Sequence, residues 1–475
     1  MTGRVQYLGH RMTRRSSDVR GFPPKEEKVT DKSNMIKEIK IQIAKWLLDP
    51  DGEKIFSDKL DDLEAELKKN NLYKIYADLE LPLYDVLTEM SRTGILVDKE
   101  ALLELKKHLD KELVELVKKI YELSGKEFNL NSPKQLGEVL FDVLKIKSKK
   151  KTKGGGRSTG VEILEEMRGS HVVVDFILKY RELFKLQSTY VMPILEIANA
   201  SRDGRVHTTF LQTHTATGRL SSENPNLQNI PTGTELAKKL RSCFVAKEGH
   251  SLLSSDYSQI ELRVLAHASQ DPKMIEAFNN DLDIHKITAS NVFNKSLEEI
   301  TKKERQLAKT LNFGVIYGMG AQAFARSSGL SYAEAEKFIA EYFSDFKEIK
   351  VWHEKIIREA MSYGYVQNLN GRKRWLPNLI SDNFRSMSEA HRAAINMPIQ
   401  SLAADIIKLA MLAVRRELPN VSLILSIHDE LVFEVPDVML KEIADKIKII
   451  MEGVYKLSVP LKVDVAFGKN WAEIS

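Results

Sequence analysis

The chain of 475 residues contains a single cysteine, Cys243, and this scarcity excludes several kinds of protein. One thiol cannot form a disulfide within the chain, and no cysteine cluster is available to bind zinc, so we expect a reducing compartment. The sequence also lacks an uninterrupted apolar run of about 18 residues, so we expect no membrane-spanning segment. It has no internal repeats, which argues against a repeat architecture.

The overall composition is that of a globular protein with room for two or three subdomains, at 43% hydrophobic and 29% charged residues. The formal net charge of +5 is compatible with a polyanionic partner, but a mildly basic enzyme of any kind has the same balance. Helical blocks alternate with strand-like segments, which predicts an α+β fold with a mostly antiparallel sheet.

The N-terminal region divides into two parts. Residues 1–35 are basic and lack an apolar period, so we expect a disordered tail. The first twenty residues also resemble an organelle transit peptide faintly, which leaves targeting open. From 36 to 80 apolar residues recur at spacings of three and four, which predicts short helices.

The strongest local charge feature is KSKKKTKGGGRSTG at 147–160, which includes Lys150, Lys151 and Arg157. A solvated loop is one interpretation of this run. A tip between helices that binds phosphates is the other, and the segment alone favours neither.

The segment LILSIHDELVFEV at 423–435 reads as two strands around a turn that contains His428, Asp429 and Glu430. Burying such carboxylates costs several kcal/mol unless something pairs with them. Cationic side chains are one possible partner. A second aspartate, Asp256 in SLLSSDYSQIELR, also ends a short apolar strand. Two carboxylates from different strands in one cleft suit Mg²⁺, with substrate phosphates as further ligands.

A predicted helix at 302–320 carries Arg305, Lys309, Phe313 and Tyr317 at intervals of four residues. This spacing places two cations and then two aromatic rings along one stripe, which suits a triphosphate and a base. A surface helix with half-buried rings is the alternative, but it does not explain why cations and rings are segregated.

Two further segments carry amide and guanidinium side chains. The first, TATGRLSSENPNLQNIP at 215–231, reads as a loop, and the second, HRAAINMPIQSLAAD at 391–405, reads as a helix. Both sets could contact a sugar-phosphate backbone or a groove edge, although helix–helix hydrogen bonds would explain the second equally well. The side chains concerned are Arg219, Gln228, Asn229, Arg392, Asn396 and Gln400.

These motifs, together with GRKRWLP at 371–377, resemble those of the family A DNA polymerases of the bacterial polymerase I type, in the family's order from about Leu81 to Ser475. The resemblance implies a right-hand fold, in which the palm holds an antiparallel sheet and the fingers and thumb are helical. It divides the chain into a disordered basic tail (1–35), a helical remnant of an exonuclease-like domain (36–80), palm entry (81–97), thumb (98–200), palm (201–262), fingers (263–403) and palm (404–475).

The resemblance also implies a role for each matching residue. Asp256 and Asp429, with the Tyr257 carbonyl, would hold two Mg²⁺ ions, which Mn²⁺ may replace. Glu261 would exclude a ribose 2′-hydroxyl, and a phenylalanine at 313 would disfavour dideoxynucleotides. The remaining catalytic and nucleotide-binding residues would be Glu430, Lys309, Arg305, His285, Gln259, Phe313 and Tyr317. Primer-template contacts would come from Arg219, Gln228, Asn229, Arg392, Asn396, Gln400 and His428, and from Lys150, Lys151 and Arg157 at the thumb tip.

The expected function is addition of deoxynucleotides to a primer 3′-hydroxyl by a monomer, in the cytoplasm of a bacterium or phage host and without a membrane. Because only about eighty residues precede the palm and no Asp-x-Glu lies there on an apolar strand, we expect neither proofreading nor 5′ nuclease activity. A single-subunit RNA polymerase and an inactive DNA-binding remnant are the rival hypotheses. Replication, repair and copying of a mobile element all stay open, as does lesion bypass.

Overall fold

The computed structural model describes residues 32–147 and 157–474. Its α-helices, numbered in chain order, are α1 Lys32–Leu48, α2 Leu60–Lys69, α3 Tyr73–Ile75, α4 Leu81–Thr93, α5 Lys99–Ser124, α6 Pro133–Gly137, α7 Val161–Glu166, α8 Val172–Lys185, α9 Met192–Ala200, α10 Glu235–Ser242, α11 Ile260–Ser269, α12 Pro272–Asn279, α13 Ile284–Phe293, α14 Lys302–Ile316, α15 Ala321–Ser328, α16 Tyr332–Asp345, α17 Lys347–Tyr363, α18 Phe384–Glu417 and α19 Leu440–Gly453. Three π-helical turns, Tyr76–Glu80, Glu138–Val143 and Leu186–Val191, extend neighbouring helices.

The strands are β1 Ile95–Val97, β2 Arg205–Val206, β3 Thr209–Leu211, β4 Ser221–Glu223, β5 Phe244–Val245, β6 His250–Tyr257, β7 Tyr365–Gln367, β8 Lys373–Trp375, β9 Ser422–Ile427, β10 Glu430–Pro436 and β11 Val463–Gly468. The largest sheet has the order β11-β6-β10-β9, and its pairs are antiparallel. Strand β6 lies inside this sheet and is buried from Ser251 to Ser255, as its apolar sequence predicts. The predicted α+β class is confirmed.

Local sequence signals explain where the main helices begin and end. The Asp98 side chain accepts from the Ala101 amide at the start of α5, and Gly125 ends that helix with a φ of 71°. Thr301 and Glu304 form a reciprocal capping box at the start of α14. These caps fix the position of the helix that carries the predicted nucleotide-binding stripe.

Helix α18 is the longest element and crosses the core. By length and composition alone it would be apolar enough to span a membrane, and it is the single such helix in the described part of the chain. In the fold, however, 83% of its apolar stretch is buried inside the protein. A central core helix gives the same signal.

The N-terminal segment packs against the rest of the described chain. Helix α1 begins at Lys32, so the last four residues of the predicted tail are helical, and residues 1–31 lie outside the described part. Its apolar residues form a cluster that Leu409 and Leu412 of α18 also contact. The Trp375 indole donates to the Leu48 carbonyl at 2.9 Å. The subdomain boundaries themselves stay predictions.

Two elements were not predicted from the sequence. Helix α10 lies within 201–262, the part of the expected palm assigned to the antiparallel sheet, and the β7–β8 hairpin lies within 263–403, the expected helical fingers. The α10 segment carries a strongly amphipathic ELAKKLRS, whose Leu236 and Leu240 are buried one turn apart. The hairpin strands have three residues each, too few to show a period.

Candidate active site

The predicted carboxylates meet at one end of the central sheet. Strand register places Asp256 of β6 opposite Glu430 of β10 on one side and opposite Asp464 of β11 on the other. Asp429 lies in the β9–β10 turn, and its carbonyl accepts from the Tyr257 amide at 3.2 Å, which ties the turn to the end of β6. These carboxylates line an open cleft of about 950 Å³.

The turn itself requires an unusual backbone. His428 has a φ of 53°, in the left-handed region that few residues adopt without a structural reason. This conformation lets the turn reverse within two residues, so Asp429 and Glu430 both reach the cleft. His428 is exposed beside them, and burial of its ring together with the Arg219 and Arg241 charges lowers its pKa. At neutral pH it is an uncharged imidazole.

Burial and mutual repulsion make the ionised carboxylates unfavourable. Burial raises the pKa of Asp429 to about 7, and the charge of Glu261 adds to that effect while Arg219 opposes it. Burial also raises the pKa of Asp256 to about 6, with Glu430 and Asp464 as further causes. Because a nearby positive charge would stabilise both ionised carboxylates, the cleft favours binding of a cation.

The chemistry of these groups fits Mg²⁺. Asp429 Oδ1 is buried and has no hydrogen-bond partner, which leaves a carboxylate oxygen available. Within residues 32–147 and 157–474, no three His, Cys, Asp or Glu side chains converge into a complete metal cage. A Mg²⁺ site that uses two carboxylates and leaves the other positions to substrate phosphates and water needs no such cage.

Glu430 differs from the two aspartates in its surroundings. Its carboxylate accepts from the Ser254 hydroxyl at 2.5 Å, and its backbone pairs across the sheet. Burial raises the pKa of Glu430, whereas the Ser254 bond and Arg241 lower it. This carboxylate is therefore held in place beside the cleft, and Arg241, which the sequence analysis did not single out, supplies a buried cation near it.

Glu261 forms a second polar centre next to the carboxylates. It is 4% exposed, and it accepts from Arg219 at 2.5 Å and from the Tyr317 hydroxyl at 2.8 Å. Burial and the Glu261 charge raise the pKa of Tyr317 to about 12. Three residues from distant motifs therefore meet at the start of α11, directly after β6, the strand that carries Asp256.

Helix α14 presents its stripe largely as predicted. Lys309 is exposed, and Arg305 donates to Asp283 at 2.6 Å. The His285 side chain is not freely accessible to a triphosphate. It is 2% exposed, and its Nδ1 lies 2.9 Å from the Asn312 amide. Burial lowers its pKa to about 4, so the ring is neutral at pH 7. Its ring lies 5.8 Å from that of Phe313.

The sequence analysis missed Asp283 and Asn312 in this region. Asp283 caps α13 by accepting from the His285 and Lys286 amides, so the cap signal DIHK could have identified it. Asn312 is fully buried and bonds Thr288 and His285. No local signal distinguishes such an asparagine from a surface one.

The other predicted site residues surround these two centres. Gln259 has a φ of 53° at the start of α11, and its Oε1 is buried without a partner, as is Asn396 Oδ1 on α18. Gln228 is engaged, because its amide donates to the Ser426 carbonyl at 2.9 Å. The Tyr190 hydroxyl donates to the Asn229 carbonyl at 2.5 Å.

Helix α18 brings its predicted residues to the same side of the site. Arg392, Asn396 and Gln400 follow one another at one-turn intervals, as predicted. Gln400 lies close enough to the Tyr317 hydroxyl to lower its pKa, which opposes the effect of burial. The Arg392 side chain packs against Gly318, where an added Cβ would lie 3.1 Å from its Cγ.

The glycine-lysine loop is mostly outside the described residues, and Lys150 and Lys151 lie there. Arg157, at the end of the loop, pairs with Asp142 at 2.5 Å and lies over the Phe141 ring. The structure does not bring Arg157 to the carboxylate cleft. Its predicted contact with a duplex stays a prediction.

Comparisons with known proteins agree with this geometry. The sequence profile described as DNA polymerase family A matches residues 99–473. The chain is 44% identical to the thermostable DNA polymerase I of Thermus aquaticus over 423 residues, which cover 88% of this chain and 50% of that protein. It is 44% identical to DNA polymerase I of Lactococcus lactis over 414 residues, which cover 86% and 47%. The chain thus spans about half the length of these relatives.

A solved structure gives the same result. The POL domain of Pol1 from M. smegmatis, in complex with DNA primer-template and dNTP, superposes with a TM-score of 0.87 at 35% identity. The match covers 91% of this chain and 82% of that one. The chain belongs to DNA polymerase family A, and its fold is the right-hand polymerase fold.

Proposed function

We propose that this chain is a DNA-directed DNA polymerase that adds deoxynucleotides to a primer 3′-hydroxyl. One observation carries the proposal: Asp256 and Asp429, 173 positions apart in the sequence, line the same cleft, and Asp429 keeps a buried oxygen without a partner. A structural pair of carboxylates would be matched by cations. The ionised forms of these two carboxylates are unfavourable without a cation, so they are suited to bind the metal ions of a metal-dependent transfer reaction.

The cofactor would be two Mg²⁺ ions, for which Mn²⁺ may substitute, held by Asp256, Asp429 and the Tyr257 carbonyl. Bound there, the ions would supply charge neutralisation for in-line nucleotidyl transfer. Glu430, held by Ser254, would keep the adjoining strand in position.

The nucleotide would be bound by helix α14 and its neighbours. Lys309 is exposed toward solvent and Arg305 is oriented by Asp283, so both cations are available to a triphosphate. Neutral His285 would act as a hydrogen-bond partner rather than as a charge. Gln259, with its unpartnered oxygen, would lie beside the sugar and phosphates.

Phe313 and Tyr317 would pack on the nascent base pair, and Glu261 would crowd the position of a ribose 2′-hydroxyl. In the described state Glu261 is bonded to Tyr317, so entry of a templated nucleotide must exchange that hydrogen bond for packing on the base. The exchange couples correct pairing to completion of the site, an induced-fit step.

Primer-template DNA would be the macromolecular partner, bound by a monomer. Arg219, Gln228 and His428 line one pocket, and His428 also lines the carboxylate cleft, so these three proposed contacts lie beside the proposed metal site. The proposed contacts are Arg219, Gln228, Asn229, Arg392, Asn396, Gln400 and His428, with Lys150, Lys151 and Arg157 at the thumb tip. Cytoplasmic localisation and the absence of nuclease activities stay predictions.

Primer extension with Mg²⁺ tests this function. Wild type should extend a DNA primer on a DNA template, whereas Asp429→Ala should bind the same duplex in a gel-shift assay without extending it. Full extension by the variant would refute the assignment. Preferential incorporation of ribonucleotides would favour the RNA polymerase hypothesis. Shortening of a mismatched primer without dNTPs would show a proofreading activity.

A further inference from the structure

Trp46 lies on helix α1, outside the residues 99–473 that match the family profile, and yet it contacts the loop that carries Arg219, one of the proposed primer-template contacts. Its side chain is buried, and its indole N–H donates to the Thr215 carbonyl at 3.0 Å. This is a contact between residues 169 positions apart. Helix α1 is therefore part of the environment of the site.

The face of the Trp46 ring is occupied by two buried cations. The Arg372 guanidinium lies 5.0 Å and the Lys408 ammonium 5.2 Å from the ring centre. Both cations also bond Glu80, at the end of the same N-terminal segment, and Arg372 additionally bonds Asp405 at 2.7 Å. The four charges balance one another, so the cluster is a rigid and fully buried support.

This support also contacts the loop at 215–219 directly, at Gly218. Gly218 has a φ of 83°, and a Cβ at this position would lie 3.0 Å from the Arg372 guanidinium carbon. Only a glycine fits both the backbone and the space. The loop is thus in contact with both the indole of Trp46 and the guanidinium of Arg372.

The other end of the loop is Arg219. The Thr215 hydroxyl donates to the Arg219 carbonyl at 2.7 Å, so the residue that Trp46 holds in turn fixes the backbone of Arg219. The Arg219 guanidinium then bonds Glu261, which also accepts from Tyr317. A continuous set of hydrogen bonds runs from Trp46 to the residue proposed to exclude the ribose 2′-hydroxyl.

We propose that Trp46 is a positioning residue for sugar selection: by fixing the 215–219 loop it sets where Arg219 holds Glu261. The inference rests on the proposed polymerase function and deepens it. Loss of the indole donor should let the loop move. Arg219 would then hold the Glu261 carboxylate less rigidly, and Glu261 would exclude a ribose 2′-hydroxyl less effectively. DNA binding through distant surfaces should not change.

The test compares Trp46→Phe with Trp375→Phe. Each substitution removes one indole donor that joins the N-terminal segment to the rest of the chain. The Trp46 bond goes to the Thr215 carbonyl of the loop, whereas the Trp375 bond goes to the Leu48 carbonyl and leaves the loop untouched. Discrimination is measured as the ratio of kcat/KM for a dNTP to that for the matching rNTP. Trp46→Phe should reduce this ratio about two- to fivefold, the effect of one ordinary hydrogen bond. Trp375→Phe should leave it unchanged, with similar Tm and primer-template Kd for both variants.

Two further variants separate positioning from general destabilisation. Gly218→Ala should reduce the same ratio, because the added Cβ would displace the loop from Arg372 while leaving the Trp46 indole in place. Adding Trp46→Phe to Glu261→Ala should produce no further loss, because both act through Glu261. Equal ratios for the two tryptophan variants, or additive losses with Glu261→Ala, would overturn the inference. A wild-type chain that extends no primer would overturn the proposed function itself, and the inference with it.

Discussion

Asp429 carries the least favourable charge of the proposed metal pair, and its replacement by asparagine gives the most informative variant. Without metal, burial and the charge of Glu261 raise its pKa from 3.8 to about 7. An acid with a raised pKa is destabilising when ionised: the penalty begins above the pKa of the unfolded chain and is complete above the folded pKa. For a pKa raised from 3.8 to about 7, the ionised carboxylate destabilises the folded chain by about 2–4 kcal/mol at neutral pH.

Asp429→Asn keeps the shape of the side chain and removes that penalty. We therefore expect the metal-free variant to unfold at a Tm a few degrees above wild type at about pH 7.5. The difference in Tm between variant and wild type should fall to less than half at about pH 5, because the Asp429 carboxyl of the folded wild type is then already protonated. Thermal unfolding in the presence of a chelator measures both values.

Asp437→Asn is the control, because the surroundings of Asp437 lower its pKa whereas those of Asp429 raise it. Lys469 and Ser251 lower the pKa of the exposed Asp437, so its removal should not stabilise the chain at neutral pH. Primer extension by Asp429→Asn should be lost although the protein is more stable. A variant that is less stable than wild type without metal, or one that still extends primers, would refute the reasoning.

Three other outcomes follow from the site and its support. Glu261→Ala should raise ribonucleotide incorporation by about tenfold or more, because the side chain that would crowd the 2′-hydroxyl is removed. Single-nucleotide extension measures this, and an unchanged preference for deoxynucleotides would disprove the steric role. Lys309→Ala should raise the KM for dNTPs and lower kcat with an unchanged Kd for primer-template, whereas weakened duplex binding alone would contradict it. Glu80→Gln should destabilise the fold by about 3–5 kcal/mol in denaturant unfolding, since Arg372 and Lys408 lose a buried partner; a change below about 1 kcal/mol would contradict the buried network.

Much of the fold and site was predictable because the signals are local. The apolar runs on either side of His428 and before Asp256 identify three strands with acids at their ends, and the pairing of Glu430 with Asp256 shows that these ends are adjacent. The interval of four residues from Arg305 to Tyr317 needs only helix geometry. In each case residues within one element determine the result.

Contacts between elements could not be predicted in the same way. The space beside Gly314 and Gly318 is filled by Met319 and Arg392, and the spacing along α14 does not indicate the contact with Arg392 of another helix. The resemblance implies that His285 binds the nucleotide, but it does not show that the ring is buried against Asn312, which lies 27 residues away in the sequence. The sequence gives the residue types, while the packing of α13 on α14 decides their exposure and charge.

The described chain contains two kinds of buried carboxylate that no sequence pattern distinguishes. Glu80 is matched by Arg372 and Lys408, and its pKa is lowered even though it is fully buried. Asp429 is also largely enclosed, yet its pKa is raised and one of its oxygens has no partner. Pairing makes the first a structural support, and lack of pairing leaves the second able to bind a cation, so the charge balance around each acid, rather than its burial, identifies the proposed catalytic one.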